Sequence, residues 1–369
     1  MAKSRKEKSE ERVIKKLEEL GHDINKKLEK EKKLSMEIPV RSLSNVVFDE
    51  KNNVLQLGDK TSSRAFLNVA HAKKFMQTLL IASKCKEIIK DDAMISIRDM
   101  FYNLKHTIGK SNENTFDDQS ESDPIIEDLE CKLDVLREQL NLEASRRGYM
   151  VGNITIIDNG DKINCRKMGT GGYSIPSIVE DHVVDFGKVD ADFVLVVEKD
   201  AVQSRLNQDK FWKKHNCILV TGQGMAPRGV RRLLYRLNKE KGLPVYIFAD
   251  NDPWGYYIYS VYKKGSINLS YLSNELAIPE CRFIGLSSSD PKTFDLPDNV
   301  AIKLNKNDVK RANELLKYDW FQTKEWQKEI KLMLKNNVKY ELEALSAKNI
   351  RFVTNNYLPQ KLEEGNFLH

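Results

Sequence analysis

Three carboxylates stand where two apolar runs stop. Phe193-Val-Leu-Val-Val leads into Glu198, and Pro244-Val-Tyr-Ile-Phe-Ala leads into Asp250-Asn-Asp252. Charge-free runs of β-branched and aromatic residues are the pattern of strands buried on both faces, as in parallel sheets. Open parallel sheets bind ligands just beyond the carboxyl ends of their strands, which is where these acids fall. Carboxylate oxygens suit Mg²⁺, a hard cation that keeps several of its waters. A divalent ion so held serves phosphodiester chemistry. An acid at a strand end can instead cap the next helix. That accounts for one of the three with ease, and poorly for an Asp-x-Asp pair joined by a third acid on another strand.

A second reactive group is Tyr102, in Arg98-Asp-Met-Phe-Tyr102. On a helix, Arg98 lies one turn back on the same face, where its guanidinium can hold a phosphate beside the phenol. The chain has 13 tyrosines, and taken alone any one of them is far more often a core or surface residue than a nucleophile. Thr221-Gly-Gln-Gly224 is a glycine-bearing loop that runs into Arg228, Arg231 and Arg232. Its amides and guanidinium groups are candidates for DNA phosphates, and Arg146 and Arg147 offer another basic point. The loop lacks the Gly-Lys-Ser/Thr of a P-loop, so the chain shows no Walker ATP site of its own. No Gly-x-Gly-x-x-Gly follows an early strand, which excludes a Rossmann reading. A phosphatase of the haloacid dehalogenase type places its Asp-x-Asp after the first strand of its domain; here the pair follows about the third. Met168–Pro176, also glycine-rich, reads equally as a domain junction or a ligand loop. His71, His106, His182 and His215 stand alone, and structural roles are expected for them.

Several elements must position these groups. Residues 1–36 alternate Lys and Glu around a thin stripe of Val13, Ile14, Leu17 and Leu20. This reads as a solvated helix, or else as one that docks a partner. Asn45–Phe48 and Val54–Leu57 flank a turn-rich pentapeptide and read as a hairpin. A helix is expected over 70–89, and another from a capping box at Ser96-Ile-Arg-Asp99. After a polar loop, Asp123-Pro124 reads as the start of a third helix carrying Ile125 to Leu140. A strand over 151–157 follows. Three helices and then a β-element outline a winged helix-turn-helix. The remainder alternates strands (193–197, 217–220, 244–249, 281–285) with helices from about Pro227 and Tyr256. That is the order of a parallel sheet with right-handed crossovers. Beyond Leu296 the chain reads as mainly helical, with Trp320 and Trp326 as packing anchors. The expected organisation is thus a charged helix and extension over 1–68, a winged-helix domain over 69–150 and a metal-binding α/β domain over 151–369.

At 369 residues the chain is long for one core. Its net charge of +6 is modest, because 60 basic residues face 54 acidic ones, so any DNA surface must come from their arrangement. No run of about 18 apolar residues is present, which excludes a transmembrane helix. The N-terminus has no apolar signal core. Five scattered cysteines argue against a disulfide framework or a zinc knuckle, and for a reducing cytoplasm.

Glu198 followed by Asp250-x-Asp252 resembles the Toprim domain of topoisomerases, primases and related nucleases. Ser96-Ile-Arg-Asp-Met-Phe-Tyr102 resembles the nucleophile motif of the topoisomerase VI A-subunit family, which includes the meiotic double-strand-break transesterase. Asp250-Asn-Asp-Pro-Trp-Gly255, Gly169–Pro176 and Thr221–Gly224 are similar to that family's motifs too, and the likeness runs from about Ile38 onward. Asn251 departs from the pattern, at a position that need not face a metal. The resemblance implies a winged-helix domain followed by a Toprim domain. It implies Tyr102 as the nucleophile forming a 5′-phosphotyrosyl link, Arg98 as its phosphate-positioning partner, and Glu198, Asp250 and Asp252 as Mg²⁺ ligands. It further implies a homodimer acting on double-stranded DNA, and an ATPase B subunit that completes an A2B2 heterotetramer and binds the ATP. A nucleoid-associated, cytoplasmic protein without a membrane partner is expected. A hydrolytic Toprim nuclease, a meiotic break-maker and a non-catalytic DNA-binding module stand as the alternatives.

Overall fold

The computed structural model describes residues 5–30 and 32–369. In it the N-terminal helix α1 (Arg5–Glu29) is not a solvated one. Val13, Leu17 and Leu20 recur at helical spacing and are buried with Ile81, Cys85 and Ile88 of α2 (Val69–Lys90). Enough apolar surface lies along the stripe to fix the helix, despite its Lys/Glu faces.

Two compact units form: Met1–Val46 with Leu57–Ser145, and Val47–Gln56 with Arg146–His369. The breaks fall elsewhere than the expected points after residues 68 and 150. In the first unit β1 (Ser35–Pro39) is joined to β4 (Thr61–Ala65) as an antiparallel pair. Between them the chain makes the expected hairpin, β2 (Val46–Asp49) with β3 (Val54–Leu57). Its body, Val47–Gln56, counts with the second unit. The short β5 (Ile95–Ser96) leads directly into α3 (Ile97–Leu104), opened by the expected capping box. Next comes α4 (Gln119–Leu133), whose start differs from expectation. The side chain of Asp118 caps it through the Ser120 amide at 2.8 Å, so Pro124 lies inside the helix and not at its first position. Asp134 takes a left-handed conformation (φ 49) and ends it, which leaves Leu136 and Leu140 outside; Leu140 falls in a 3₁₀ turn. Then β6 (Leu142–Glu143) pairs in parallel with β5.

The strand expected over 151–157 is two strands. Gly152 sits at φ +139, and a side chain there would run into the Cys217 carbonyl at 2.5 Å. The chain turns at this point from β7 (Tyr149–Gly152) to β8 (Ile154–Asp158), which join different sheets of the second unit. The β-element expected to follow the three helices is therefore not part of their unit. With β9 (Asp161–Asn164) and β11 (Val184–Val189), β8 forms a small antiparallel sheet. The glycine-rich stretch before Pro176 closes into β10 (Tyr173–Ser174) and is a turn within this unit, not a domain junction. Asn207 Nδ2 donates to the Gly169 carbonyl at 3.0 Å.

The main sheet runs β10-β7-β13-β12-β14-β15, with β12 (Phe193–Val197), β13 (Cys217–Thr221), β14 (Val245–Phe248) and β15 (Arg282–Gly285) parallel. From β12 the chain passes through α5 (Asp200–Gln208) and α6 (Phe211–Lys214) to β13 on one side. It then returns through α7 (Arg228–Lys241) to β14 on the other side of β12, and through α8 (Pro253–Lys264) to β15. Connections leave β12 and β14 in opposite directions, so their adjoining C-terminal ends make the switch point of the sheet. The later helical segment closes around Trp326, whose ring meets those of Tyr256, Tyr259 and Phe283. Trp320 is buried too, stacked on Tyr318 at 4.4 Å between centroids.

Candidate metal centre and nucleophile

Glu198 and Asp250 meet at the switch point. Val197 is in register with Phe248, which sets Glu198 level with Ala249 and one residue short of Asp250. The Glu198 amide donates to the Phe248 carbonyl, and the Asp250 amide donates to Glu198 Oε2, both at 3.0 Å. The Thr221–Gly224 loop braces the same corner, because the Gly224 amide donates to the Glu198 carbonyl at 3.0 Å. That amide is thereby unavailable to a phosphate. Asp250 is only 5% exposed, and its Oδ1 accepts from the Leu342 amide at 2.8 Å. Its Oδ2 faces the Lys199 ammonium at 3.2 Å. Asp252 is the N-cap of α8: its Oδ1 accepts from the Trp254 and Gly255 amides at 2.9 and 2.6 Å. The helix comes so close to the strand end that a Cβ at Gly255 would sit 2.3 Å from the Asp250 carbonyl. Glycine is required there by this approach. Asn251 points away from the acids into a buried network, donating to Tyr256 Oη at 2.5 Å and Ser288 Oγ at 3.1 Å.

The electrostatics are those of crowded acids short of positive charge. Burial first, and then the neighbouring charge of Asp250, push the Glu198 carboxyl up to about 8. Burial lifts Asp250 to about 6, against the downward pull of the Leu342 amide and Lys199. Burial also raises Asp252. For Lys199, burial favours loss of the proton, yet Asp250, Glu343 and Glu341 outweigh it and hold the ammonium above its ordinary range. Among the described residues, no three His, Cys, Asp or Glu side chains already stand together as a metal cage. The reason is visible in the contacts: Lys199 and the Leu342 amide hold Asp250, and the helix amides hold Asp252. The donor set nonetheless fits a hard divalent cation, which would relieve the repulsion that raises Glu198. Lys199, Glu341, Glu343 and the Leu342 amide were not singled out in the sequence. Only the position of Lys199, next to Glu198, hinted at any of them.

Tyr102 and Arg98 lie in the first unit. The Ser96 hydroxyl accepts from the Asp99 amide at 3.0 Å while Asp99 Oδ2 accepts from the Ser96 amide at 3.2 Å, which fixes the start of α3. One face of that helix buries Met100, Phe101 and Leu104. The other turns Tyr102 outward at 58% exposure, with the Arg98 guanidinium 5.9 Å from its ring centroid. The phenol ring leans edge-on against Phe101 at 5.0 Å. Its orientation is thus supported from the core side while its oxygen is free to meet a substrate.

The basic residues fare unevenly. Arg146 and Arg147 are exposed and Arg228 is half-buried. Arg231 is 1% exposed, its Nε and Nη2 have no hydrogen-bond partner, and burial lowers its pKa to about 10. Arg232 makes a bidentate pair with Glu180 at 2.8 and 2.7 Å. Neither presents its guanidinium to an external phosphate, which corrects the expectation for both. The helix α7 is the crossover from β13 to β14, with Arg231 enclosed within the unit and Arg232 engaged by Glu180 and Glu275.

Comparison with known proteins places these motifs. Residues 193–362 match the family described as the Toprim domain of the topoisomerase 6 A-subunit and Spo11 proteins. Residues 73–142 match one described as type IIB DNA topoisomerase, and residues 147–190 an all-beta domain of the DNA topoisomerase VI alpha subunit. The chain is 47% identical over 368 residues to the A subunit of type 2 DNA topoisomerase 6 from Pyrococcus horikoshii, covering 97% of this chain and 96% of the relative. With that of Methanocaldococcus jannaschii it shares 38% over 357 residues, covering 95% and 94%. With the A3 subunit of DNA topoisomerase 6 from Oryza sativa it shares 35% over 335 residues, covering 90% and 74%. Three family matches and likeness over nearly the whole of the two archaeal relatives, on a fold that brings Glu198 and Asp250 together, leave one reading: this chain belongs to the family of topoisomerase VI A subunits.

Proposed function

We propose that this chain is the DNA-cleaving subunit of an ATP-dependent type II topoisomerase, with Tyr102 as its nucleophile. The observation that carries the reading is the exposed phenol of Tyr102, backed by Phe101 and attended by Arg98, on a helix whose opposite face is buried. The phenol oxygen attacks a backbone phosphorus and gives up its proton. A new O–P bond forms, the P–O bond to the sugar 3′ oxygen breaks, and the freed 3′ hydroxyl takes up a proton. The chain is left joined to the 5′ phosphate. Because the phosphodiester is conserved as a phosphotyrosine, the reverse attack reseals the strand without an outside energy source. Arg98 pairs with the phosphate as the phenol approaches. Glu198 and Asp250, with Asp252 in support, would hold Mg²⁺, which supplies charge neutralisation at the phosphate and at the leaving oxygen.

The helix outline of the first unit supports a winged-helix reading, and exposed Arg146 and Arg147 together with half-buried Arg228 are the DNA-backbone contacts we retain. One tyrosine cuts one strand, so a duplex break requires two copies about a two-fold axis. The relatives carry the name of A subunits, which supports a B partner that binds ATP and an A2B2 assembly. No helix among the described residues is long and apolar enough to cross a membrane; a nucleoid-associated location is the one we assign. The test is denaturant trapping: supercoiled plasmid, this chain, its ATPase partner and Mg²⁺ should yield DNA ends carrying covalently bound protein. Mass spectrometry should then place the nucleotide on Tyr102. Cut DNA with free 5′ ends and no adduct would instead identify a hydrolytic nuclease.

A further inference from the structure

Lys199 directly follows Glu198, and its ammonium faces three carboxylates. Asp250 Oδ2 lies at 3.2 Å, Glu341 Oε2 at 3.4 Å and Glu343 Oε2 at 3.5 Å. Asp250 is buried, whereas both glutamates are half exposed. The segment that carries them is tied to the acidic motif by its backbone. Asn251 and Tyr340 exchange two main-chain bonds of 2.9 and 3.0 Å, and the Leu342 amide holds Asp250 Oδ1. Glu341 and Glu343 thus flank the residue that anchors Asp250.

Resting on the reading of Glu198 and Asp250 as metal ligands, we propose that Lys199 is a positioning residue, an internal counter-cation that holds Asp250 until a divalent ion arrives. Glu341 and Glu343 receive its ammonium when the ion displaces it. The physical case is simple. A buried carboxylate without a counter-charge is costly, so Asp250 needs a cation in the metal-free protein as well as in the loaded one. Only one cation can sit against Oδ2. An ammonium pushed off Asp250 with no other acceptor would oppose metal binding by the whole strength of its bond. Two half-exposed glutamates already within reach make the exchange a short sideways step. Lys199 also keeps Asp250 in one orientation during the metal-free interval, because Oδ1 and Oδ2 are each engaged.

The experiment is Mn²⁺ titration by calorimetry on the full chain, which reads affinity without reference to cleavage. Lys199→Gln should bind Mn²⁺ about tenfold more tightly, the scale of one partly exposed charge-assisted bond. Lys199→Arg keeps the charge and should return affinity close to wild type. Glu341→Gln with Glu343→Gln should weaken binding severalfold, and this loss should disappear once Lys199 is Gln, since the glutamates act through the ammonium. Unchanged or weaker binding by Lys199→Gln overturns the proposal. A glutamate effect that survives in the Lys199→Gln background overturns it as well, because the glutamates would then be ligands themselves. Lys199→Met, which keeps the apolar stem without the charge, carries the same predictions if Lys199→Gln melts early. Asp250→Asn is the control for the underlying reading: if it retains wild-type Mn²⁺ affinity, that reading fails and takes the proposal with it.

Discussion

The main-chain amide of Asp250 donates to the side chain of Glu198, so one candidate metal ligand is held in place by the backbone of the other. The donor is a main-chain amide, so this bond survives a change of side chain at position 250. Substitutions can therefore separate charge from scaffold.

Glu198→Gln and Asp250→Asn should each reduce Mg²⁺-dependent cleavage by about a hundredfold or more, the scale of losing one charge-stabilising group. Gln at 198 still offers a carbonyl oxygen to the Asp250 amide, so the melting temperature should hold. Asp252→Asn should do less, because Asn caps α8 equally well. Asp252→Ala removes the cap and should cost about 1 kcal/mol of stability. Plasmid cleavage measured alongside thermal melting checks all four; full activity in Glu198→Gln would remove the site from the mechanism.

Tyr102→Phe should abolish the covalent adduct while DNA affinity stays near wild type. The phenol is exposed and its ring packs only edge-on against Phe101, so stability should change by no more than about 0.5 kcal/mol. Persisting protein-linked breaks, read by denaturant trapping, would rule out the nucleophile.

Raised carboxyl pKa values make the metal-free protein less stable as pH rises. Glu198 is half-ionised at its ordinary 4.5 in the unfolded chain, but only at about 8 in the folded protein. The folded state binds the extra proton between these values, so stability is fully present below the lower one and is lost as pH climbs through the upper. Asp250 adds the same sign between 3.8 and about 6. In chelator, the melting temperature at pH 8.5 should fall below that at pH 5 by several degrees, at about 2–4 °C per kcal/mol for a unit of this size. Glu198→Gln should flatten the profile, and added Mg²⁺ should restore the loss at high pH. A wild-type slope identical to that of Glu198→Gln would contradict this.

Gly255→Ala should be disproportionately damaging for a single methyl. The added Cβ meets the Asp250 carbonyl, which belongs to a strand end and cannot swing aside. We expect a loss of about 1–3 kcal/mol together with weaker Mn²⁺ binding, as overpacking shifts the backbone that carries Asp250. Normal melting and normal affinity would show that α8 can retreat.

Plasmid relaxation should require a separate ATPase partner. Cutting and resealing are nearly balanced in energy, and the chain's glycine loops lack the P-loop lysine spacing. Directional strand passage must draw on a conformational cycle driven elsewhere. ATP-dependent relaxation by the purified chain alone would refute this.

The acids were legible because the strands before them are uniformly apolar and the residues after them are not. Tyr102 stood out only through its motif's resemblance to a family, while the capping box and the one-turn spacing from Arg98 were legible locally. What escaped was long-range. Glu341 lies 142 residues from Lys199, and no local pattern links them. The start of α4 was misplaced because Pro124 reads as a first helical residue, while the true cap, Asp118, sits in a polar run with no apolar marker. Gly152 split one apparent strand because a close approach to Cys217 required a glycine conformation that apolar patterning does not encode. Arg231 and Arg232 looked like surface charge because neither the burial of the first nor the Glu180 pairing of the second can be read from a basic run.

The placement of hairpin residues Val47–Gln56 with the second unit bears on how this polypeptide can be dissected. Phe48 lies under the Lys264 ammonium at 5.2 Å, and Asn53 accepts a hydrogen bond from the same lysine at the end of α8. The expected boundary after residue 68 would make a deletion ending near Leu67 the clean removal of an N-terminal appendage. The deletion would in fact remove α1 and the whole β1–β4 pair from one unit and the hairpin from α8 in the other. Any loss of partner coupling in such a truncation would be confounded with damage to both halves, so point substitutions on the outward face of α1 are the sound way to map a docking surface.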